Sequence, residues 1–186
     1  MSVIQSQPIS LDDCFFYHTI DIPGVGLMRG QWDLRLSVDA YLGGISLASR
    51  RVFEVGPASG FLTFLMEQRG ANVVACELPH GSQWDLVPYA NADLRDYVRD
   101  REELHRRLVN GFWFGHRAFG SRATVVYCPV YDLPRELGTV DIATFSMLYS
   151  IVFSPQSRPL TSKEYFSSGV KKRRRSPSSQ IPVLMS

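Results

Sequence analysis

Residues 51–60 read RVFEVGPASG, and a second apolar run, VVACE, follows at residues 73–77. The first stretch has the pattern of a buried strand that ends in a glycine-rich turn. The order of strand, turn, helix and strand is typical of a parallel α/β unit, in which the carboxyl ends of neighbouring strands border one crevice. Glu54, Gly56, Gly60 and Glu77 are therefore predicted to surround a ligand-binding crevice.

The segment between the two runs is predicted to form a helix over about residues 61–69. Its apolar residues would give it a core face, and Gly70 is placed to end it at the C′ position. Its N-terminal amide groups would point into the crevice. Gly56 and Gly60 lack a Cβ, so the backbone there can turn sharply and approach a ligand closely.

The glycine spacing favours an adenosine-bearing cofactor that has no dinucleotide pyrophosphate. The turn reads Gly-x-x-x-Gly behind a glutamate, whereas dinucleotide-binding turns read Gly-x-Gly-x-x-Gly. Glu77 is placed to accept two hydrogen bonds from a ribose diol, and Glu54 to hold a cationic amino group. Two alternatives stay open: a generic strand-turn-helix whose glycines serve only the turn, and a nicotinamide-dependent oxidoreductase, because Glu77 also suits the ribose of NAD.

Composition indicates a single domain with a substantial core, since 45% of the 186 residues are hydrophobic. The three cysteines, Cys14, Cys76 and Cys128, lie far apart in the chain and include no Cys-x-x-Cys pair. They predict buried reduced thiols rather than a metal site or a disulfide framework, and hence a cytoplasmic protein. We expect no association with a membrane, because no apolar run is long enough to span one.

Charge is distributed unevenly along the chain. Residues 1–149 hold thirteen arginines, no lysine and seventeen acids, for a net charge of −4, whereas residues 150–186 carry +6. We expect residues 1–45 to form an N-terminal cap over the crevice, residues 46–149 a partial cofactor-binding domain, and residues 150–186 an atypical, disordered basic tail. The basic run at 171–175 fits a solvated tail better than a nucleic-acid-binding patch.

Further elements complete a doubly wound parallel α/β sheet. A short helix is expected over residues 36–42, a third strand over 123–128 and a fourth over 140–145. In the long insertion before the third strand, apolar residues from Leu104 to Phe119 recur at helical spacing, although Gly111 and Gly115 weaken the predicted helix. The aromatic cluster at residues 112–114 is predicted to lie in the core.

The acid, the Gly-x-x-x-Gly turn and the second acid together resemble the first motif of class I S-adenosylmethionine-dependent methyltransferases. The segments at residues 17–21, 32–35 and 130–133 further resemble the tRNA mo5U34 methyltransferase-like branch of that class, and the resemblance covers about residues 15–149. It implies a Rossmann-like fold and S-adenosyl-L-methionine as the cofactor. It also implies ten cofactor-binding residues: Trp32, Glu54, Gly56, Pro57, Ala58, Gly60, Glu77, Val130, Tyr131 and Tyr149.

The chain departs from this family at two places. Pro129 stands where the family has an acid beside the adenine, and the match stops abruptly after Tyr149. About four of the seven family strands are present, which suggests a shifted reading frame or a replaced C-terminus. We therefore expect a truncated methyltransferase with impaired turnover or, alternatively, a non-catalytic α/β remnant that binds no cofactor.

The methyl acceptor does not follow from the resemblance, and a small molecule and a tRNA both stay open. Transfer from a sulfonium needs a general base only where the acceptor must lose a proton first. His18 is the candidate for that base, with Asp21 nearby in the sequence. The competing interpretation of His18 is a packed, hydrogen-bonded histidine beside aromatic residues.

Overall fold

A computed structural model describes residues 9–82 and 95–145 of the chain. It contains a small antiparallel hairpin, a four-stranded parallel sheet, and two longer helices. In chain order the strands and helices are β1 (Ile20–Ile22), β2 (Gly26–Met28), α1 (Val38–Tyr41), β3 (Arg51–Val55), α2 (Phe61–Gln68), β4 (Asn72–Glu77), α3 (Arg95–Ala118), β5 (Thr124–Tyr127) and β6 (Ile142–Phe145). The predicted tail over residues 150–186 lies outside the described residues.

All four predicted strands are confirmed, in the sheet order β5-β4-β3-β6 with every pair parallel. The central strand β3 pairs with β4 on one side and with β6 on the other, so Glu54 lies opposite both Ala75 and Thr144. The chain leaves β3 towards β4 and later returns to the other side of β3. Ligands of open α/β sheets bind beside such a reversal of strand order, outside the carboxyl ends of the strands.

The two faces of the sheet pack against different parts of the chain. On one face, Val52 and Ala75 join a core that includes residues of α2 and α3. On the other face, a second cluster joins residues of β3 and β4 to the segment that follows β5. Its buried members are Phe53, Val55, Val74 and Cys76, and its partly buried members are Val126, Cys128, Val130, Leu133, Leu137 and Val140.

The helix predicted after the glycine turn is confirmed. It ends at Gln68, and Gly70 follows with a positive φ of 87° and donates its N–H to the Glu67 carbonyl oxygen. This is the left-handed C′ position that favours glycine. The helix predicted at residues 36–42 is shorter than expected, since only Val38–Tyr41 are helical.

The helix predicted from the spacing of Leu104 to Phe119 is confirmed as α3, which runs without a break over Arg95–Ala118 despite its two glycines. Both glycines lie where other groups come close: a Cβ at Gly111 would lie 2.8 Å from the Phe15 carbonyl oxygen, and a Cβ at Gly115 would lie 2.7 Å from the Phe64 ring. Close packing therefore accounts for both glycines. As predicted, Phe112 and Trp113 are buried in the core.

The N-terminal segment packs directly on the elements that flank the glycine loop. The Tyr17 N–H donates to the Ser59 hydroxyl at 3.0 Å, and the Phe15 N–H donates to the Arg107 carbonyl oxygen on α3 at 3.0 Å. The His18 ring lies 5.5 Å from the Phe61 ring, measured between centroids, at the start of α2. None of the helices in the described ranges is both long and apolar enough to cross a membrane.

We predict that Gly111→Ala destabilises the protein by about 1–3 kcal/mol, because the new methyl group would overlap a backbone carbonyl that cannot rotate away. An unobstructed helix interior would instead gain about 0.5–1 kcal/mol from the same change. Urea unfolding of the full chain measures the sign. Glu102→Ala, on the exposed side of the same helix, is the control and should change the unfolding free energy little. A Gly111→Ala variant at least as stable as the parent would contradict the close approach.

Candidate functional site

The loop between β3 and α2 closes over the carboxyl ends of both inner strands. The Gly56 N–H donates to the Cys76 carbonyl oxygen of β4 at 2.9 Å, and the Gly60 N–H donates to the Pro57 carbonyl oxygen at 2.8 Å. Gly56 and Gly60 have positive φ angles of 70° and 88°. Both glycines are therefore required by the turn itself, as the sequence predicted.

Packing gives a second reason why residue 60 has no side chain. A Cβ on Gly60 would collide with the Phe64 ring, one turn into α2, so the space beside this glycine is filled by the protein's own side chain. Ala58, by contrast, has a φ of 51° although it carries a Cβ. A non-glycine residue in this region is strained, and such strain concentrates at ligand-binding and catalytic loops.

Glu54 is a buried carboxylate behind this loop. It is 1% exposed, and its Oε2 accepts a hydrogen bond of 2.5 Å from the Thr63 hydroxyl on α2. Burial raises its pKa from 4.5 to about 7, the Thr63 hydrogen bond opposes that rise, and the nearby Glu77 charge adds to it. Glu54 therefore keeps its proton to a higher pH than an exposed glutamate does.

Glu77 lies at the carboxyl end of β4, where the sequence predicted it, but it already has partners. Its Oε1 accepts a hydrogen bond from the Leu78 N–H at 2.8 Å and lies 3.2 Å from His105 Nε2 on α3. Both contacts reach Oε1, and within the described residues Oε2 receives no hydrogen bond. One oxygen of the pair therefore remains to meet a hydroxyl group.

His105 was missed in the sequence, although its position carries a signal. His105, Val109 and Phe112 are spaced by four and three residues, so they share one face of α3. The predicted apolar stripe passes through Phe112, and extending the same period backwards reaches His105. The exposed fraction of His105 is 8%, which is low for a histidine outside a packed site.

A small pocket connects the glycine loop with Glu77. Its cavity volume is about 10 Å³, which is room for about one water molecule. Ligand pockets of drug-sized molecules typically measure about 300–1,000 Å³. The residues around it come from the loop, from β4 and β5, and from α3: Pro57, Ala58, Glu77, Val109, Phe112, Val125 and Tyr127. A nucleoside would fit only if the side chains of α3 moved outward.

Two buried polar atoms near this end of the sheet have no hydrogen-bond partner in the described structure, His18 Nδ1 and Thr144 Oγ1. Thr144 lies directly opposite Glu54 in the β3–β6 pairing, and parallel partners project to the same face. Burial lowers the pKa of His18 to about 4, so the ring is neutral at neutral pH. An unpaired buried polar atom is unfavourable, and each of these two is a place for a ligand group or a water.

The structure brings together six of the ten residues that the resemblance implies: Glu54, Gly56, Pro57, Ala58, Gly60 and Glu77. Val130 instead packs in the cluster on the opposite face of the sheet, and the Tyr131 side chain is 84% exposed. Trp32 pairs through its backbone with the segment around His18, while its side chain is 44% exposed. Tyr149 lies outside the described residues.

No cluster of three or more metal-binding side chains occurs in residues 9–82 and 95–145. Comparison with protein-family models and with curated proteins finds no match to this chain. The site's chemistry therefore rests on its own residues.

We predict that Glu54 makes the protein less stable as the pH rises from 4.5 to about 7. The folded state holds the Glu54 proton up to a higher pH than the unfolded state does, so this contribution is complete below pH 4.5 and is lost as the pH passes through 7. A shift of this size corresponds to about 3 kcal/mol. Glu54→Gln should remove that part of the pH dependence in urea unfolding at a series of pH values. Parallel curves for the two proteins would contradict the buried carboxyl.

A second prediction concerns the contact between Glu77 and His105. A double-mutant cycle with Glu77→Ala and His105→Ala should give a coupling of about 1 kcal/mol in the unfolding free energy, because the two side chains share a partly buried hydrogen bond. The cycle cancels the other contacts that either side chain makes. If the effects of the two single substitutions on the unfolding free energy add up to that of the double variant, the contact contributes nothing to stability.

Proposed function

We propose that the crevice at the carboxyl ends of β3 and β4 binds S-adenosyl-L-methionine, and that the chain is a class I, Rossmann-like methyltransferase. The sheet order supports the proposal, since the glycine loop follows β3, the strand at which the order reverses, with β4 on one side and β6 on the other. Ligands of open α/β sheets bind at such a reversal.

The observation that carries the proposal is the shared pocket of the glycine loop and the acid of the next strand. Pro57 and Ala58 of the loop line the same pocket as Glu77, although they are about twenty residues apart in the chain. A carboxylate at this place suits the ribose diol of an adenosine. The resemblance implies the same three residues as cofactor contacts, which supports the proposal.

The fit of an adenosyl group is partial. Within residues 9–82 and 95–145, Glu77 Oε2 receives no hydrogen bond, and Thr144 Oγ1, opposite Glu54 in the β3–β6 pairing, has no partner. The pocket is too small for a nucleoside as it stands, because Val109 and Phe112 of α3 occupy one side. Binding would therefore require an outward shift of α3, together with loss or rearrangement of the contact between His105 and Glu77.

The chemistry asks little of the side chains. S-adenosyl-L-methionine, when bound, supplies an electrophilic methyl group, and the protein's share is to orient the acceptor and exclude water. His18 is buried and its pKa is about 4, so it would accept a proton only weakly at neutral pH. We therefore propose that His18 positions groups at the crevice and that the acceptor, a small molecule or a tRNA, needs no strong base. The expected loss of turnover concerns segments outside the described residues.

The alternative is an α/β remnant that binds no cofactor. Two observations favour it: His105 already contacts the Glu77 carboxylate, and the pocket is narrow. The two functions differ in one measurable property, affinity for the adenosyl ligand.

The test is a thermal melt of the full chain with and without S-adenosylhomocysteine. A ligand bound only by the folded state stabilises it by about 2.7 kcal/mol at a concentration a hundredfold above its Kd. We expect a clear rise in Tm for the parent protein and no rise for Glu77→Ala. A cooperative melt whose Tm does not change with the ligand would contradict the proposal and favour the α/β remnant that binds no cofactor.

A matched control separates the loss of the binding carboxylate from the loss of any negative charge. Glu103→Ala removes an exposed acid of α3 that forms a surface pair with Arg106, 2.7 Å away. It should keep the full ligand-induced rise in Tm. Equal responses of the two variants would mean that the ligand binds away from Glu77. Running NADH in parallel tests the nicotinamide alternative, for which we expect no shift.

A further inference from the structure

Two cysteines that are far apart in the sequence meet at the end of the sheet. Cys76 is the penultimate residue of β4, and Cys128 directly follows β5. Their sulfur atoms lie 3.8 Å apart, and the Cys76 thiol also approaches the Cys128 carbonyl oxygen at 3.5 Å. As the sequence predicted, all three cysteines are free thiols, although Cys128 is only half-buried and is in contact with Cys76.

Strand geometry explains the contact. Cys76 pairs in register with Val126, and Cys128 lies two residues further along, so both side chains project to the same face of the sheet. The Cys128 N–H donates to the Glu77 carbonyl oxygen at 3.1 Å, which holds the chain after β5 beside the end of β4. Backbone hydrogen bonds thus keep the two sulfur atoms together.

We propose that Cys76 and Cys128 form a reversible intramolecular disulfide, an oxidant-responsive modification site at the carboxyl ends of β4 and β5. A disulfide bond is about 2.05 Å long, so the two sulfurs must approach by rotation of their side chains. The evidence for this site does not rest on the proposed cofactor binding, since the two cysteines lie on the opposite face of the sheet.

The two thiols differ in access, and that difference sets the order of events. Cys76 is 3% exposed, and burial raises its pKa to about 12, whereas Cys128 is only half-buried. A peroxide reacts first at Cys128: its sulfur takes one oxygen to form a sulfenic acid, and water leaves. The Cys76 sulfur then attacks that sulfur, the S–S bond forms, and a second water leaves. Two thiols and one peroxide thus give one disulfide and two waters.

A pair of thiols could also bind a soft metal ion, but the surroundings favour the disulfide. Metal sites of this kind need further ligands, and the described residues provide no third His, Cys, Asp or Glu within a common cluster. The neighbours of the pair are apolar, including Val55 and Val130. The disulfide would join the two strand ends that carry Glu77 and Tyr127 at the pocket, and so would stiffen that side of it.

The test oxidises the reduced full-length protein with hydrogen peroxide, blocks the remaining thiols by alkylation, and maps the products by mass spectrometry. We expect the number of free thiols to fall from three to one in the monomer, and dithiothreitol to restore all three. Trypsin should release peptides 70–95 and 123–135 as one joined species.

Cys14 provides the matched control, because it is buried in the other core cluster and its thiol donates to the Ser10 carbonyl oxygen at 3.3 Å. Cys14→Ser should still form the bridge, and Cys128→Ser should not. In urea, which unfolds the chain, disulfides should form among all three cysteines. Any of three results would overturn the proposal. They are a peptide joined through Cys14 under native conditions, disulfides only between molecules, and over-oxidised Cys128 without a disulfide. The mapping of the unmodified chain needs no variant, so a misfolded variant does not weaken it.

Discussion

The central position of β3 is the constraint on which the rest of the structure depends. This strand hydrogen-bonds to a parallel neighbour on both sides, and its register places Glu54 opposite Ala75 and Thr144. Neighbouring strands occupy both edges of β3. The chain therefore leaves the carboxyl end of β3 through a loop beyond the end of the sheet. The glycine loop, the buried Glu54 and the adjacency of Glu77 all follow from that position.

A second constraint is the close approach of α2 and α3. Phe64 is 2% exposed and stacks on Phe119 with ring centroids 4.9 Å apart. The bare positions Gly60 and Gly115 both face this ring, so one side chain determines where two glycines are needed. With α3 held this close, His105 reaches Glu77, and the pocket narrows. The packing of α2 against α3 therefore both forms the pocket and limits its volume.

Much of the sheet could be predicted because each strand has a local signal. The four apolar runs, the glycine turn and Gly70 follow from residue type and period, and the structure places them as expected, with strand ends shifted by one or two residues. The sequence also predicts Glu54 and Glu77 at the strand ends. Neither acid's environment could be predicted, because burial and the Thr63 and His105 contacts depend on how distant helices pack.

The features that the sequence did not predict depend on packing between distant parts of the chain. A helix-propensity scale counts Gly111 and Gly115 as unfavourable because it contains no term for a neighbouring backbone or ring. Cys76 and Cys128 look separate because the long insertion before β5 hides their adjacency in the sheet. Val130 and Tyr131 were assigned to the cofactor from the resemblance alone, and their side chains lie in the opposite cluster and in solvent.

The most direct test of the proposed cofactor site is NMR of the isotopically labelled chain during titration with S-adenosylhomocysteine. The account predicts that the amide resonances of Gly56, Gly60 and Glu77 shift together with one Kd. Gly70, which precedes the amino end of β4 at the opposite end of the sheet, should not move and serves as the internal reference. Unchanged loop resonances at saturating ligand, or shifts confined to the hairpin, would contradict a cofactor crevice at the ends of β3 and β4.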